Sequence, residues 1–470
     1  MENVKPMPRV LIAGANSGCG KTSITCGILK ALVSRGLHIQ SYKCGPDYID
    51  PMLHSHITGR ACRNLDPFFS TGEDLRYLVG KDSQDVDFSV TEGVMGYYDG
   101  VGISCEKSTW TVSKETGMPT ILIFNVKGMS HTMIPLIKGM IEYQDNSVAG
   151  VILNRCSKGM YQLMKPEIEE KLGISVVGYF PQKEGICIGS RHLGLMTAAE
   201  IDNLDEILNL LGETAEECID LDLLLKIGQK AVPLVAVKKP ALPEKKRAKI
   251  AVAWDRAFCF YYKENLEILE QLGAELCYFS PVNDTQLPED TDGIYLGGGY
   301  PETYRKELAE NILMKESICA AAKAGKPVIA ECGGFMYVCN HLVEADDSSM
   351  EMLGLIDTDV QMTKRLSMQF GYVTLTALYD TAFFKKDTKI RAHEFHYSKA
   401  DKRGDSCEIK KYSGKCWNGL YVKGNIMAGY PHFYFHNCRG VAESFVAIAE
   451  KVAKNLNYDD FECKSVWIKR

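Results

Sequence analysis

From residue 8 onward, short apolar runs alternate with longer stretches that place an apolar residue every three or four positions. RVLIAG, HIQSYKCG, DFSVTEG, TILIFNV, GVILNR and SVVGYF are near-continuous apolar runs of strand length, the pattern of strands buried on both faces. GKTSITCGILKALVSRG, after the first of them, has helical periodicity. This alternation predicts a mostly parallel sheet covered by helices on both faces, with ligands gathering beyond the carboxyl ends of its strands.

The rhythm stops at VPLVAVKKPALPEKKRAK, a stretch rich in proline and lysine that begins at Val232. Residues 232–248 therefore read as a linker between a domain at 1–231 and another at 249–470. Beyond it the rhythm restarts with KIAVAW, a helix from about Tyr262 to Leu272, ELCYFS, GIYLGGG, a long helix and PVIAECGG. A second α/β domain is expected there. The length of 470 residues suits two domains and exceeds what one ordinary core fills.

Composition narrows the chemistry. The chain is 46% hydrophobic and 24% charged with a net charge of −6, which argues against a general nucleic-acid or membrane-surface partner. It carries no apolar run of transmembrane length, and MENVKPMPRV lacks the features of a signal peptide, so a cytoplasmic protein is expected. The 17 cysteines are irregularly spaced, without a C-x-x-C pair, and are expected to be reduced and mostly buried.

Candidate chemistry begins at GANSGCGKTS. Ala15 to Thr22 has Walker A spacing with alanine in place of the first glycine. Backbone N–H groups from Ser17, Gly18, Cys19 and Gly20 can close around phosphate oxygens, Lys21 can reach the outer phosphates, and the Thr22 hydroxyl can ligate magnesium. Hard oxygen ligands for that ion are offered by Asp47 and Asp50 in KCGPDYIDP, and by Glu92 and Asp99 in VTEGVMGYYDG.

In the second half, PVIAECGGFMYV reads as strand, small-residue turn and helix with Cys332 on the turn. There a helix N-terminus favours the thiolate and the Gly333 N–H faces a developing oxyanion. GIYLGGGYPE brings a second N–H from Gly298 or its neighbour. His432, ending the run MAGYPH, is the candidate to take the thiol proton, with His436 competing for the role.

KCGPDYIDPMLHSHITGRACRNLDPFF, TEGVMGYYDG, GVILNRC and RHLGL together resemble the cobyrinic acid a,c-diamide synthase family, which is grouped with dethiobiotin synthetase among P-loop enzymes. The Cys332 and His432 segments resemble the class I glutamine amidotransferase domain of that family. The resemblance implies a dethiobiotin synthetase-like P-loop fold followed by an amidotransferase-like α/β fold. It implies Thr22, Asp47 and Glu92 as magnesium ligands, Lys21 and Lys43 near the phosphates, and Asn154 near adenine. Tyr48, Asp50 and Asp99 would face the acceptor, and Cys332 with His432 would form a dyad. Many class I glutaminases carry a carboxylate two residues after the histidine, where this chain has Tyr434. RAHEFHYS is also a motif of the group; its H-E-x-H spacing is not that of a zinc site, and His393 and His396 are expected to be structural or interdomain.

The implied partners are MgATP, glutamine and a tetrapyrrole polycarboxylic acid, with no nucleic acid and no membrane; a homodimer is one oligomeric state to test. The implied reaction is amidation of the a and c acetates of cobyrinic acid through acyl phosphates. Hydrogenobyrinic acid and nickel sirohydrochlorin are the alternative acceptors. A different class, a nucleotide-switched P-loop ATPase with a decayed glutaminase domain, is disfavoured by Asn16 in the loop and by Cys332 with His432.

Overall fold

The computed structural model describes residues 4–183, 190–191, 194–195, 201, 203–363 and 369–454. His192 and Leu193 of the RHLGL stretch lie outside the described residues. The chain forms two compact units, Met1–Pro240 and Ala241–Arg470.

In the first unit, seven strands pair in the order Arg63–Leu65, Ile39–Cys44, Phe88–Glu92, Arg9–Gly14, Thr120–Asn125, Val148–Asn154, Ser175–Phe180. Every pairing in this sheet is parallel. Strands buried on both faces explain the unbroken apolar runs. One face packs Val10, Ile12 and Val90 against Ile24 and Ile28 of the helix Lys21–Ser34 and against Leu208 and Leu211 of Leu204–Cys218. The opposite face packs Leu11, Leu122 and Val151 against Leu75, Val112, Ile137 and Ile168 from four further helices. Chain order doubles back across the strand Arg9–Gly14, so its carboxyl end and that of Phe88–Glu92 flank a switch in topology, the usual place for a ligand crevice.

The expected linker is not structureless at its start. Leu234–Val235 pairs antiparallel with Val4–Lys5, and the Gln84 amide donates to the Val237 carbonyl at 2.7 Å. Backbone pairing on the first unit therefore holds the beginning of this proline-rich segment, and the division between units falls after Pro240.

The second unit has a six-stranded sheet in the order Ala274–Phe279, Ala248–Ala253, Gly293–Leu296, Val328–Glu331, Ile426–Gly429, Tyr421–Lys423, parallel except for its last strand. One face carries a core of Leu296, Ala330 and Ala428 with Leu308, Ile318 and Phe335. On the other face Ile250, Val252, Tyr295 and Ile329 pack against Val373, Leu375, Ile390 and Phe433 of a five-stranded antiparallel sheet. The strand–helix rhythm gave no sign of that second sheet. The expected long helix after GIYLGGG is two helices, Arg305–Glu310 and Ile312–Lys323, because Asn311 breaks the first and its side chain accepts from the Met314 N–H to cap the second.

Candidate functional site

Gly18 and Gly20 of the phosphate loop take φ of 75° and 100°. These left-handed values are open to glycine and costly for other residues, and they turn the strand Arg9–Gly14 into the helix Lys21–Ser34. Cys19 is fully buried, whereas Ser17 and Gly18 are exposed. Lys21 Nζ donates to the carbonyls of Asn16 at 3.2 Å and Met95 at 2.5 Å, spanning the phosphate loop and the turn after Phe88–Glu92. Burial lowers its pKa.

Around Thr22 the strand ends deliver a buried charged cluster. Thr22 Oγ1 donates to Glu92 Oε1 at 2.8 Å and to Asp50 Oδ2 at 3.3 Å. Lys43 Nζ bonds Asp50 Oδ2 and, at 2.8 Å, Glu92 Oε1. Burial alone would raise the Glu92 carboxyl, but Lys43 and then His54 hold it well below the ordinary carboxylate range. Asp50 moves the other way, up to about 7, through burial and the neighbouring Asp47 charge, despite Lys43. Three hard oxygens converge here, from Thr22 on the helix that follows the phosphate loop, Asp50 on the helix Ile49–Thr58 and Glu92 at the end of its strand, a donor set that fits magnesium completed by water and phosphate. Among the described residues no group of three or more His, Cys, Asp and Glu side chains forms a metal cage by itself.

Asp47 is placed differently from Asp50. Its Oδ1 accepts the N–H groups of Ile49 at 2.9 Å and Asp50 at 3.3 Å, and Oδ2 lies 3.8 Å from Lys43. The start of the helix Ile49–Thr58 thus occupies one oxygen of Asp47, and it is Asp50 that reaches Thr22. Tyr48, half-buried, sits at the cap of the same helix. Asp99 folds back on its own loop, accepting the Gly96 N–H at 2.8 Å. The Asn154 amide donates to the Cys19 carbonyl at 2.6 Å and its oxygen accepts the Arg155 N–H at 2.8 Å, so it braces the phosphate loop from below. A Cβ on Gly20 would stand 2.1 Å from that amide nitrogen.

His54 is a residue that sequence reading missed. Fully buried, it sets Nε2 at 2.9 Å from Glu92 Oε2, while Nδ1 lies 3.7 Å from Cys62 Sγ. Although burial disfavours its charge, hydrogen bonds to Cys26, Cys62 and Glu92 raise its pKa well above the ordinary value. The signal was its spacing, since Asp50 and His54 at i and i+4 share one helix face.

In the second unit, Cys332 joins the strand Val328–Glu331 to the helix Gly333–Val338 with φ 48° and ψ −100°. Such strain in a residue that is not glycine is typical of a nucleophile held on a sharp strand-to-helix turn. The backbone is fixed on both sides, by Cys332 N–H to the Gly429 carbonyl at 2.8 Å and by Gly334 N–H to the Gly297 carbonyl at 2.9 Å. Burial, then the nearby Glu302 charge, push the Cys332 thiol far up, opposing the help expected from the helix N-terminus. His432 is held down to about 3 by burial and by His393 and His396. Both shifts disfavour the charged forms of the two side chains.

Gly298 serves the imidazole. A Cβ there would lie 2.4 Å from His432 Cε1 and 3.3 Å from Nδ1, so only glycine leaves room for the ring. Its neighbour Gly299 puts its backbone nitrogen 3.0 Å from where a Cβ on Gly333 would stand, beside the nucleophile turn. The strand His432–Phe433 is clamped by the fully buried Asn265, whose amide donates to the Phe433 carbonyl and accepts the Phe435 N–H, both at 2.7 Å. His436 lies in the following turn, tilted against Tyr434 at 6.1 Å. The HEFHY stretch, expected to be structural or interdomain, also lies beside Cys332. His393 pairs in register with His432, the Phe395 carbonyl is 3.8 Å from Cys332 Sγ, and His396 stacks on Tyr430 at 3.6 Å.

Known proteins match both units. Residues 10–193 match the CobQ/CobB/MinD/ParA nucleotide binding domain and residues 249–440 the CobB/CobQ-like glutamine amidotransferase domain. The cobyrinate a,c-diamide synthase of Clostridium tetani is 41% identical, over 95% of this chain and 100% of its own length. That of Priestia megaterium is 38% identical over 93% and 96%, and that of Thermoplasma volcanium 37% over 94% and 97%. With a phosphate loop in one unit, a cysteine elbow in the other and likeness running through both, the chain belongs to the cobyrinate a,c-diamide synthase family, carbon–nitrogen ligases that join a nucleotide-binding domain to a glutamine amidotransferase domain.

Proposed function

We propose that this chain uses ATP and glutamine to convert the a and c acetate carboxylates of cobyrinic acid into amides. The observation that carries the reading is the pairing, in one chain, of the Cys332 turn and His432 with the carboxylate and lysine cluster around Thr22. Ammonia does not displace hydroxide from a carboxylate at a useful rate. Phosphorylation of that carboxylate supplies a leaving group, so the phosphoryl acceptor is the substrate acid.

In the amidotransferase unit, His432 takes the Cys332 proton as sulfur attacks the glutamine amide carbon. N–H groups at Gly333 and in the Gly298–Gly299 segment face the oxyanion. His432 then protonates the departing nitrogen, and water hydrolyses the thioester to glutamate. In the nucleotide unit, the backbone of residues 17–20 cradles phosphates while Lys21 and Lys43 offset charge on the transferring group. Thr22, Asp50 and Glu92 would hold magnesium, which supplies Lewis-acid stabilisation of the phosphates when bound. Tyr48, half-buried, and Asp99, exposed, are assigned to the acceptor; Asn154 acts on the nucleotide through the loop it braces.

The deciding experiment is mass spectrometry of products after incubation with MgATP, glutamine and, separately, cobyrinic acid, hydrogenobyrinic acid and nickel sirohydrochlorin. Two successive replacements of OH by NH2, fastest on cobyrinic acid, are expected. Faster diamide formation on another macrocycle would reassign the acceptor, and no amide on any would overturn the reading.

A further inference from the structure

A histidine that takes a proton from a thiol needs a partner behind its ring, to fix which nitrogen faces the thiol and to offset the charge it acquires. The position two residues after His432 does not supply one. Tyr434 occupies it, buried and packed edge-on against Tyr262 at 5.1 Å. A carboxylate does reach the imidazole from another part of the unit. Glu331, last residue of the strand Val328–Glu331 and direct neighbour of Cys332, is 98% removed from solvent, its relative exposure being 2%.

Alternation along a strand sends neighbouring side chains to opposite sides. While Cys332 stands on the turn, Glu331 enters the layer between the two sheets. There its Oε1 accepts the Tyr295 hydroxyl at 3.2 Å and the Phe433 N–H at 3.4 Å, the latter from the residue immediately after His432. Its Oε2 lies 3.9 Å from His432 Nδ1. Both partners are held in place, the carboxylate by two donors and the imidazole by the Asn265 clamp and the Gly298 gap. Catalytic hydrogen bonds that are long in a ligand-free site commonly tighten in the reacting complex.

We propose that Glu331 is the positioning residue of the Cys332–His432 dyad, its Oε2 engaging Nδ1 of His432 so that Nε2 is presented to the thiol. This rests on the dyad reading given above. Proton bookkeeping closes without Glu331 making or breaking a covalent bond. The S–H bond breaks as N–H forms at Nε2, and the sulfur electron pair forms the C–S bond. The Nε2 proton then leaves on ammonia, and water restores the thiol by the same route. Burial pushes the Glu331 carboxyl up to about 8, so it balances the imidazolium in between in the ionised form that builds up as pH rises through that value. The other ionisable groups facing this pair are His393 and His396 toward His432, Glu302 and Glu394 toward Cys332, and Tyr261, Tyr295 and Cys438 toward Glu331.

Glu331→Gln keeps the size of the side chain and an acceptor for Tyr295 and Phe433, which makes it the informative variant. Glutaminase kcat is expected to fall between about 10- and 10³-fold with KM within about twofold, as for loss of the carboxylate behind a catalytic histidine. Alkylation of Cys332 by iodoacetamide should slow in parallel, the ascending limb of the pH–kcat profile should move, and Glu331→Asp should recover part of the rate. Amidation driven by ammonium chloride should match wild type. A Glu331→Gln enzyme with wild-type kcat and pH profile overturns the proposal, as does one that loses glutamine- and ammonia-driven turnover equally. His432→Ala separates the two levels: if it keeps glutaminase activity the dyad reading fails, and if it is inactive beside a normal Glu331→Gln only the assignment of Glu331 fails.

Discussion

Replacing Gly298 by alanine places one methyl group against the ring proposed to act as base. The new Cβ would stand 2.4 Å from His432 Cε1. Carbon atoms rest at about 3.5 Å or more, so the imidazole has to retreat by roughly 1 Å. Gly298 is not among the glycines with positive φ, so alanine adds no backbone strain at this position. A displacement of that size in a catalytic group costs on the order of 10²-fold, about 2.7 kcal/mol in the barrier. The assay is glutamate release from glutamine at saturating MgATP and acceptor, run beside amidation from ammonium chloride. Glutaminase kcat/KM should drop by about that factor while the ammonia reaction is unchanged. Glutaminase kcat/KM within about twofold of wild type would refute the assignment of His432 and its packing against Gly298.

Cys332→Ala should abolish glutamine-driven amidation and spare the reaction with high ammonium chloride, as followed by product mass spectrometry. Lys21→Ala and Glu92→Gln should stop amidation from either nitrogen source, measured as ADP release. Asp50→Asn, which removes a carboxylate bonded to Lys43 and Thr22, should weaken magnesium-dependent nucleotide binding by calorimetry, whereas Asp99→Asn should change the KM for the acid and leave nucleotide binding intact. Burial pushes the Glu331 carboxyl up to about 8, so the folded chain keeps a proton that the unfolded chain loses near pH 4.5. That stability is fully present below the unfolded value and declines as pH rises through the folded one. Glu331→Gln should therefore unfold later than wild type by roughly 3 kcal/mol at pH 7 and show little difference at pH 4, as read from urea midpoints.

The parts legible in the sequence were those written in contiguous residues. A parallel strand buried on both faces is an apolar run, and a phosphate loop is a run of small residues before Lys21 and Thr22, so both stood out from one stretch of chain. The antiparallel sheet of the second unit did not, because strands such as Cys407–Lys411 and Gly371–Ala377 bury every second side chain and leave no continuous apolar signal. Among site residues, Asp47 and Asp50 carry the same chemical group three positions apart. Only the helix beginning at Ile49 separates them, since its free N–H groups engage Asp47 and leave Asp50 to reach Thr22. Gly298 was legible as part of a glycine turn, but its packing against His432 joins positions 134 apart in sequence and needs the sheet to bring them together. Glu331 was visible beside Cys332, yet its approach to His432 depends on the same fold.

The central claim is that phosphate activates the substrate carboxylate itself. It is tested most directly by labelling the acid's carboxylates with oxygen-18 and following the label during amidation from MgATP and glutamine. An acyl phosphate route moves one labelled oxygen into inorganic phosphate for every amide formed. Amide formation with unlabelled phosphate would contradict it.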